Sequence, residues 1–255
     1  MHSELVEPRA PVVARAGTGF EELLGRLGIP IVSDPPASSF LLVEAGGCLE
    51  LRPPGEAARS GIRAQFPPDR PSPDRRAHPL VRAFGKQSIP ILDLTAGLGA
   101  DAYRLAEAGH RVRACERDPA LFCLLATGWD AACRSGRVPE AVAARLEFVH
   151  SDAADSLAAI DVDCLGLGAY LDPMYPPPRR ASALPRRELQ VLRRLLGEAD
   201  DPAALLAAAR ARLARVVVKR PHHAPPLAGG ASFVVESKLV RFDVYLDPRR
   251  MGTTT

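Results

Sequence analysis

Residues 91–102 read ILDLTAGLGADA, and this stretch decides the fold. A short apolar run ends in Asp93, enters a turn carrying Gly97 and Gly99, and passes into a helical pattern from about Asp101 to Ala108. Strand, glycine turn and helix in that order bring a nucleotide-like ligand against the backbone N–H groups of a helix N-terminus. Glycine at these positions admits a close approach that a side chain would block. Next, Arg111-Val112-Arg113-Ala114-Cys115-Glu116 alternates as a second strand and ends in an acid. Glu116 lies 17 residues beyond Gly99, near the spacing at which an acid binds ribose hydroxyls.

Outward from this stretch, strands alternate with helices. The pattern predicts strands at Ile91–Leu94, Arg111–Glu116, Leu146–His150, Leu165–Leu171 and Arg215–Lys219, and two late ones at Phe233–Glu236 and Leu239–Leu246. Helices are expected from Asp101 to Ala108, from Pro119 to about Cys133, from Arg186 to Leu196 and from Ala203 to Ala214. Such alternation demands a mainly parallel sheet with helices on both faces, and the two late strands suit an antiparallel edge pair. Ligands of these sheets bind beyond the carboxyl ends of the strands, where Asp93, Glu116, His150 to Asp152, Asp172 and Lys219 fall. Three segments are expected: a small N-terminal α/β domain over 1–52, a proline- and arginine-rich linker or lid over 53–88, and the ligand-binding domain over 89–255. Within the first, Pro11–Arg15 reads as a strand, Phe20–Leu27 as a helix, and Phe40–Glu44 with Cys48–Arg52 as a hairpin around Gly46-Gly47.

The glycine turn alone leaves two ligands open. Gly97-x-Gly99-x-x-Ala102 satisfies the relaxed dinucleotide fingerprint of a nicotinamide oxidoreductase. Asp93 four residues before Gly97 also matches the D/E-x-x-x-G-x-G signature of S-adenosylmethionine (SAM) methyltransferases. A second motif favours the latter. The fourth strand runs into YLDPMYP (170–176), where Asp172-Pro173-Met174-Tyr175 resembles the (D/N/S)-P-P-(Y/F/W) motif of amino-group methyltransferases. An exocyclic amine is a poor nucleophile because its lone pair is delocalised into the ring. A carboxylate (Asp172) and a backbone carbonyl (Pro173) that accept its two hydrogens draw the lone pair out, and Tyr175 offers a face for the base to stack on. A plain proline turn after a strand would use the same residues, with Pro173, Pro176, Pro177 and Pro178 ending the strand.

Composition narrows the setting. The 255 residues suffice for one large domain or one plus a small one. No apolar run approaches the roughly 20 residues that span a bilayer, and the start MHSELVEPRAP lacks a secretory pattern. A soluble cytoplasmic protein is expected. Five scattered cysteines without a CxxC pair and six histidines without ligand spacing argue against a metal site. The net charge of +3 is mild. The basic residues cluster on either side of the motif region, however, at Arg75 and Arg76 and at Arg179 and Arg180, and Lys219 and Arg220 end the fifth strand. These six are candidate contacts to an RNA backbone. A solvated helix face would explain the clusters as well. The first 56 residues carry eight acids, so the N-terminal segment is not an evident RNA clamp.

Taken together, DLTAGLGADA (93–102), CERDP (115–119), RLEFVHSD (145–152), YLDPMYP (170–176), VVVKRPHHAPPLA (216–228) and RFDVY (241–245) resemble the ribosomal RNA small-subunit methyltransferase J family, guanine-N(2) methyltransferases of 16S rRNA. The resemblance implies a class I, Rossmann-like, mostly parallel seven-stranded sheet with a small N-terminal α/β domain. It implies SAM as methyl donor and one guanosine near the 3′ end of 16S rRNA, in the small ribosomal subunit, as substrate. By motif position it implies cofactor contacts from Asp93, Gly97, Gly99, Ala100, Asp101, Glu116, Arg117, Asp152, Ala153 and Asp172, and catalytic roles for Asp172, Pro173 and Tyr175. Glu116 suits the ribose, Asp152 the adenine amine and the glycine turn the methionine part, whereas Arg117 rests on the resemblance alone. The sequence departs from the family in PPDRPSPDRRAHPLVRAFG (67–85), which keeps Arg75-Arg76 but few of the glycines usual there. The runner-up is another amino-group substrate, such as adenine or cytosine in DNA, a protein glutamine or a small amine; a SAM-binding module without catalysis is least favoured because Asp172, Pro173 and Tyr175 are intact.

Overall fold

The structure is a computed structural model and describes residues 10–56, 58–68, 78–160, 166–173, 187–197 and 201–249. In chain order, the first elements are β1 (Val12–Arg15), α1 (Glu21–Arg26), β2 (Ile31–Val32), β3 (Phe40–Ala45), β4 (Cys48–Arg52) and α2 (Pro79–Phe84). The middle of the chain forms β5 (Pro90–Asp93), α3 (Ala100–Glu107), β6 (Arg111–Glu116), α4 (Pro119–Arg134), α5 (Glu140–Ala143), β7 (Leu146–His150) and α6 (Ala153–Ala158). The last are β8 (Gly168–Leu171), α7 (Arg187–Leu196), α8 (Pro202–Arg212), β9 (Arg215–Pro221), β10 (Phe233–Glu236) and β11 (Val240–Leu246). They gather into two compact units, residues 1–63 with 174–199 and residues 64–173 with 200–255.

The smaller unit holds a four-stranded sheet in the order β2-β1-β3-β4. Its β3–β4 hairpin turns at Gly46 and Gly47, both at positive φ (66° and 83°), the backbone that a tight two-residue hairpin requires. The pairings of β1 with β2 and with β3 are parallel, and the two-residue strand β2 had no periodicity by which it could be predicted. Helix α7 belongs to this unit. Its Arg187 donates to the Ser60 carbonyl and to Glu56 Oε2, each at 2.7 Å, while Val191, Leu192 and Leu195 are buried.

The larger unit is a seven-stranded sheet in the order β10-β11-β9-β8-β5-β6-β7. Neighbours from β9 through β7 are parallel, and β11 lies antiparallel to both β9 and β10. Alternation along the strands sorts the core into two layers. Ile91, Val112, Tyr170, Val217 and Phe242 face one layer, with Leu80 and Phe84 of α2 and Tyr103 and Leu105 of α3. Leu92, Cys115, Leu171, Val216 and Val218 face the other, with Leu157 of α6 and Leu206 of α8. Among the described residues no helix is long and apolar enough to cross a membrane.

The segment expected as a linker or lid is partly core. Phe66 is 1% exposed and sits within 5.9 Å of the Tyr103, Trp129 and Phe148 rings. The Ala64 carbonyl stands so close to α4 that a Cβ on Gly128 would meet it at 2.5 Å. Beyond the undescribed residues 69–77, α2 buries Leu80, Val81, Ala83 and Phe84. A few apolar anchors outweigh the proline and arginine around them, because each buried aromatic or aliphatic side chain contributes about 1.5–3 kcal/mol. The expected boundaries at 52/53 and 88/89 therefore do not coincide with the two units, and the helix at 187–196 groups with the first of them.

Gly99, at the N-terminus of α3, illustrates how tightly the turn meets this core. A Cβ there would stand 2.7 Å from Leu125 Cδ1, 2.8 Å from Phe66 Cζ and 2.9 Å from Phe148 Cζ, at a φ of +80°. Gly99→Ala is expected to cost about 2–4 kcal/mol of unfolding free energy in urea titration, from overpacking plus left-handed strain. Gly97→Ala, with only the Thr95 carbonyl within 4 Å, is expected to cost less than half as much.

Candidate active site

The chain leaves central strand β5 towards β6 and β7 on one side and returns to β8 on the other, so the crevice beyond β5 and β8 is the switch point of the sheet. Backbone and side chains lock the turn that follows β5 to three strand ends. The Leu94 N–H donates to the Tyr170 carbonyl at 3.0 Å, and the Ala96 N–H donates to the Cys115 carbonyl at 2.9 Å. Asp93 Oδ1 accepts from the Thr95 N–H at 3.0 Å, and Thr95 Oγ1 accepts from the Asp172 N–H at 2.7 Å. Glu116 receives the Gly97 N–H on Oε2 at 3.0 Å and the Asp118 N–H on Oε1 at 2.9 Å.

The two glycines of the turn serve different ends. At Gly97 a Cβ would meet only the Thr95 carbonyl oxygen, at an ordinary 3.9 Å, so the turn is loosely packed there. Gly99 points into the aromatic core, and packing, not ligand approach, requires a glycine there.

A charged network joins the turn to the motif strand. Lys219 Nζ, at the carboxyl end of β9, donates to Asp101 Oδ2 and to Asp172 Oδ2, each at 2.8 Å. Asp101 Oδ2 also accepts from the Tyr170 hydroxyl at 2.7 Å, and its Oδ1 accepts from Arg104 Nη1 at 3.0 Å. Tyr170 on β8 and Asp172 just past its end, two residues apart in an extended backbone, both reach the Asp101–Lys219 pair.

Burial and charge divide the carboxyls into two kinds. Asp93 is 1% exposed, and burial, reinforced by Asp101, Asp172 and Glu116, raises its pKa to about 8 despite the Thr95 N–H. Burial likewise lifts Glu116 to about 7. Asp101 is buried too, but Lys219, Tyr170 and Arg104 outweigh that cost and hold it at about 2. Burial pushes Asp172 above its ordinary range, with Asp101 adding and Lys219 opposing, and the carboxylates in turn hold the Lys219 ammonium well above the ordinary lysine range although burial opposes them. Burial and Asp101 keep the Tyr170 phenol protonated.

At the end of β6, Glu116 is 8% exposed, whereas Arg117 is half-exposed with Nη1 3.9 Å from Asp152 Oδ2. Asp152 caps α6 through Oδ1, which accepts from the Ala154 N–H at 2.7 Å, and Ala153 begins that helix. Ala100 begins α3 beside Asp101. Pro173 follows Asp172 and is buried. Tyr175, Arg75, Arg76, Arg179 and Arg180 lie outside the described residues.

Two expected RNA contacts point elsewhere. Lys219 turns inward to the carboxylates. Arg220, on the opposite face of β9, is 6% exposed and donates through Nε and Nη2 to the Pro225 carbonyl. The basic pair at the strand end read as a solvent-facing surface, but strand alternation sends its members to opposite faces. Thr95 and Tyr170 were not expected in the site. The i, i+2 spacing of Tyr170 and Asp172 was the available signal for the tyrosine, while Thr95 had none.

A family model described as "Putative SAM-dependent methyltransferase" matches residues 28–247. The chain is 40% identical over 239 residues to the Ribosomal RNA small subunit methyltransferase J of Coxiella burnetii (strain RSA 493 / Nine Mile phase I), covering 89% of this chain and 91% of that protein. It is 36% identical over 236 residues to the protein of the same name from Thioalkalivibrio sulfidiphilus, covering 89% and 92%. The crystal structure of a SAM-dependent methyltransferase from Neisseria gonorrhoeae superposes with a TM-score of 0.66 at 30% identity, covering 95% of this chain and 98% of that one.

The raised carboxyls set a pH dependence of stability. Between pH 4 and 8 the folded chain keeps a proton on Asp93, and up to about pH 7 one on Glu116, which the unfolded chain has released from groups near 3.8 and 4.5. The native state therefore binds more protons, and unfolding free energy falls as pH rises through this window. Asp93→Asn, which keeps an acceptor for the Thr95 N–H, is expected to flatten that slope and to be more stable than wild type at pH 8 in urea titrations run from pH 4 to 8.

Proposed function

Because the chain belongs to the ribosomal RNA small subunit methyltransferase J family of SAM-dependent methyltransferases, we propose that it methylates the exocyclic N(2) amine of one guanosine near the 3′ end of 16S rRNA. The observation that carries this reading is the attachment of Asp172 to the glycine turn. Its backbone N–H is held by Thr95, and its carboxylate is tied through Lys219 to Asp101. Donor side and acceptor side thus meet within one hydrogen-bonded frame at the sheet's switch point.

The residues present fit SAM. Asp172 keeps one carboxylate oxygen beyond its contact with Lys219, beside the ionised Asp101, and these acids suit the cationic sulfonium and amino group of the cofactor's methionine part. Loose packing at Gly97 admits that part beside the first turn of α3, whose N–H groups at Ala100 and Asp101 have no acceptor within the helix. Glu116 keeps lone pairs beyond those that meet Gly97 and Asp118, and these serve the ribose hydroxyls. Half-exposed Asp152, next to Ala153 and Arg117, serves the adenine amine. Asp93 acts through the turn, whose backbone it shapes by accepting the Thr95 N–H.

SAM supplies a methyl group on a sulfonium sulfur that retains the C–S bonding pair on departure. The chain's own work is to hold the acceptor. Asp172 and the Pro173 carbonyl accept the two amine hydrogens, so that the nitrogen lone pair turns out of the ring and towards the methyl carbon, and Tyr175 stacks on the base. As the C–N bond forms, the nitrogen becomes cationic and sheds one proton, which Asp172 takes and passes to water. Positioning of this kind is worth a large share of such a reaction, since well-aligned groups reach effective molarities of about 10⁵ M and above. Arg75, Arg76, Arg179 and Arg180 contribute phosphate contacts, which makes binding weaken steeply with salt.

Incubation with methyl-labelled SAM and 16S rRNA from cells lacking the enzyme is expected to place label as N(2)-methylguanosine at one 3′-region site; label in another base, or in none, overturns the substrate. Asp172→Ala is expected to keep the fold while kcat at saturating SAM falls by about 10²–10³-fold, as for removal of a group that stabilises a transition state. Full activity in that variant would remove Asp172 from the mechanism.

A further inference from the structure

Lysine at the end of a strand in an RNA-modifying enzyme invites a reading as a phosphate contact, and the geometry contradicts it. Lys219 keeps only a quarter of its side chain exposed, and two of its three N–H donors are committed to carboxylates that lie 118 and 47 residues away in sequence. One carboxylate belongs to the helix after the glycine turn, the other to the amine motif. Among the described strands, β9 is the neighbour of β8 on that flank of the sheet, and its Lys219 reaches both.

We propose that Lys219 is a positioning residue for methyl transfer: it bridges Asp101 to Asp172 and thereby orients the Asp172 carboxylate as the acceptor for the substrate amine. The proposal rests on the role given to Asp172 in amino-group transfer. Thr95 fixes the Asp172 backbone and Lys219 fixes one carboxylate oxygen, Oδ2, so the direction of Oδ1 follows. Oδ1 has no hydrogen-bond partner among the described residues, and about a third of the Asp172 side chain is exposed, with 34% accessible. That oxygen is the one left to meet an amine.

Removing the ammonium leaves Asp101 and Asp172 as like charges in a poorly solvated site, and one of them takes up a proton. The neighbours decide which. Asp101 retains Arg104 and the Tyr170 hydroxyl, whereas Asp172 has no other cation among the described groups around it. The groups that act on Asp172 are Asp93 on β5, Asp101 on α3, Tyr170 on β8 and Lys219 on β9, whereas Arg104 on α3 and His78 at the head of α2 act on Asp101 instead. Asp172 is therefore protonated, and a protonated carboxyl loses part of its capacity to accept an amine hydrogen and all of its capacity to receive the proton that transfer releases. Buried ion pairs contribute little reliable stability, so the network is better explained by geometry than by folding.

The test uses the full chain and the variants K219M, K219Q and K219R. Methyl transfer from labelled SAM to 16S rRNA is followed from pH 5.5 to 9, SAM affinity is measured separately, and the ¹³C carboxyl resonance of Asp172 is titrated. In K219M and K219Q, kcat is expected to fall about 10²-fold at pH 7, the loss typical of misplaced reacting groups. The acid limb of the kcat profile moves to higher pH, the Asp172 carboxyl titrates at higher pH than in wild type, and KM for the RNA changes little. K219R, which keeps a cation, restores the wild-type acid limb. An unmoved Asp172 titration in the folded K219M or K219Q protein overturns the proposal, as does a rise in KM alone, which marks a phosphate contact. Should wild type methylate no rRNA, the substrate reading fails, and the Asp172 titration still decides the role of Lys219.

Discussion

Four carboxyl groups and one ammonium crowd the carboxyl ends of β5, β6, β8 and β9 and the first turn of α3, where little water reaches them. Charges in such a place must be paired or neutralised, because the desolvation cost of an isolated ion exceeds what a folded domain can absorb. The structure does both. Asp101 is ionised because Lys219, Arg104 and Tyr170 surround it, and Asp93 and Glu116 lean towards neutrality because burial raises them and the backbone N–H groups they accept from do not offset that cost. Once these states are set, the turn between β5 and α3 has a single arrangement. Its N–H groups go to Asp93, to Glu116 and to the backbone of β6 and β8.

Packing around that turn differs at its two glycines. Gly99 meets the ring of Phe66 and the neighbouring Leu125 and Phe148, which brings the segment before α2 into the core of the larger unit. Gly97 is loosely packed. Close packing requires a glycine at one position and not at the other, within three residues.

Much of this was legible in the order of residues. The period-2 runs at Arg111–Glu116 and Leu146–His150, the glycine turn and the proline opening of α4 identify a parallel α/β sheet, because each is a local requirement of the backbone. The crevice acids Asp93, Glu116 and Asp172 follow from their positions at strand ends. Short elements were not legible: β2 has two residues, α5 four and α2 and α6 six each, too few for a period to show. Segment 53–88 was misjudged in part because composition averages over many prolines and arginines, while burial is decided by single residues such as Phe66 and Leu80. Helix α7 reads correctly as a helix, but its grouping with the N-terminal unit rests on Arg187 reaching Glu56 and Ser60, some 130 residues earlier.

Lys219 and Arg220 mark the boundary most clearly. By itself the sequence determined that a glycine turn follows a strand ending in Asp93, that an amine-binding motif ends a later strand, and that the two belong to one sheet, because hydrophobic periodicity and backbone conformation are local properties. Only the tertiary structure decided that Lys219 turns inward to join Asp101 and Asp172 while its neighbour Arg220 holds the Pro225 carbonyl on the other face. Strand order sets which side chains meet across the sheet, and the energy of a charge depends on partners that are distant in sequence and adjacent in space.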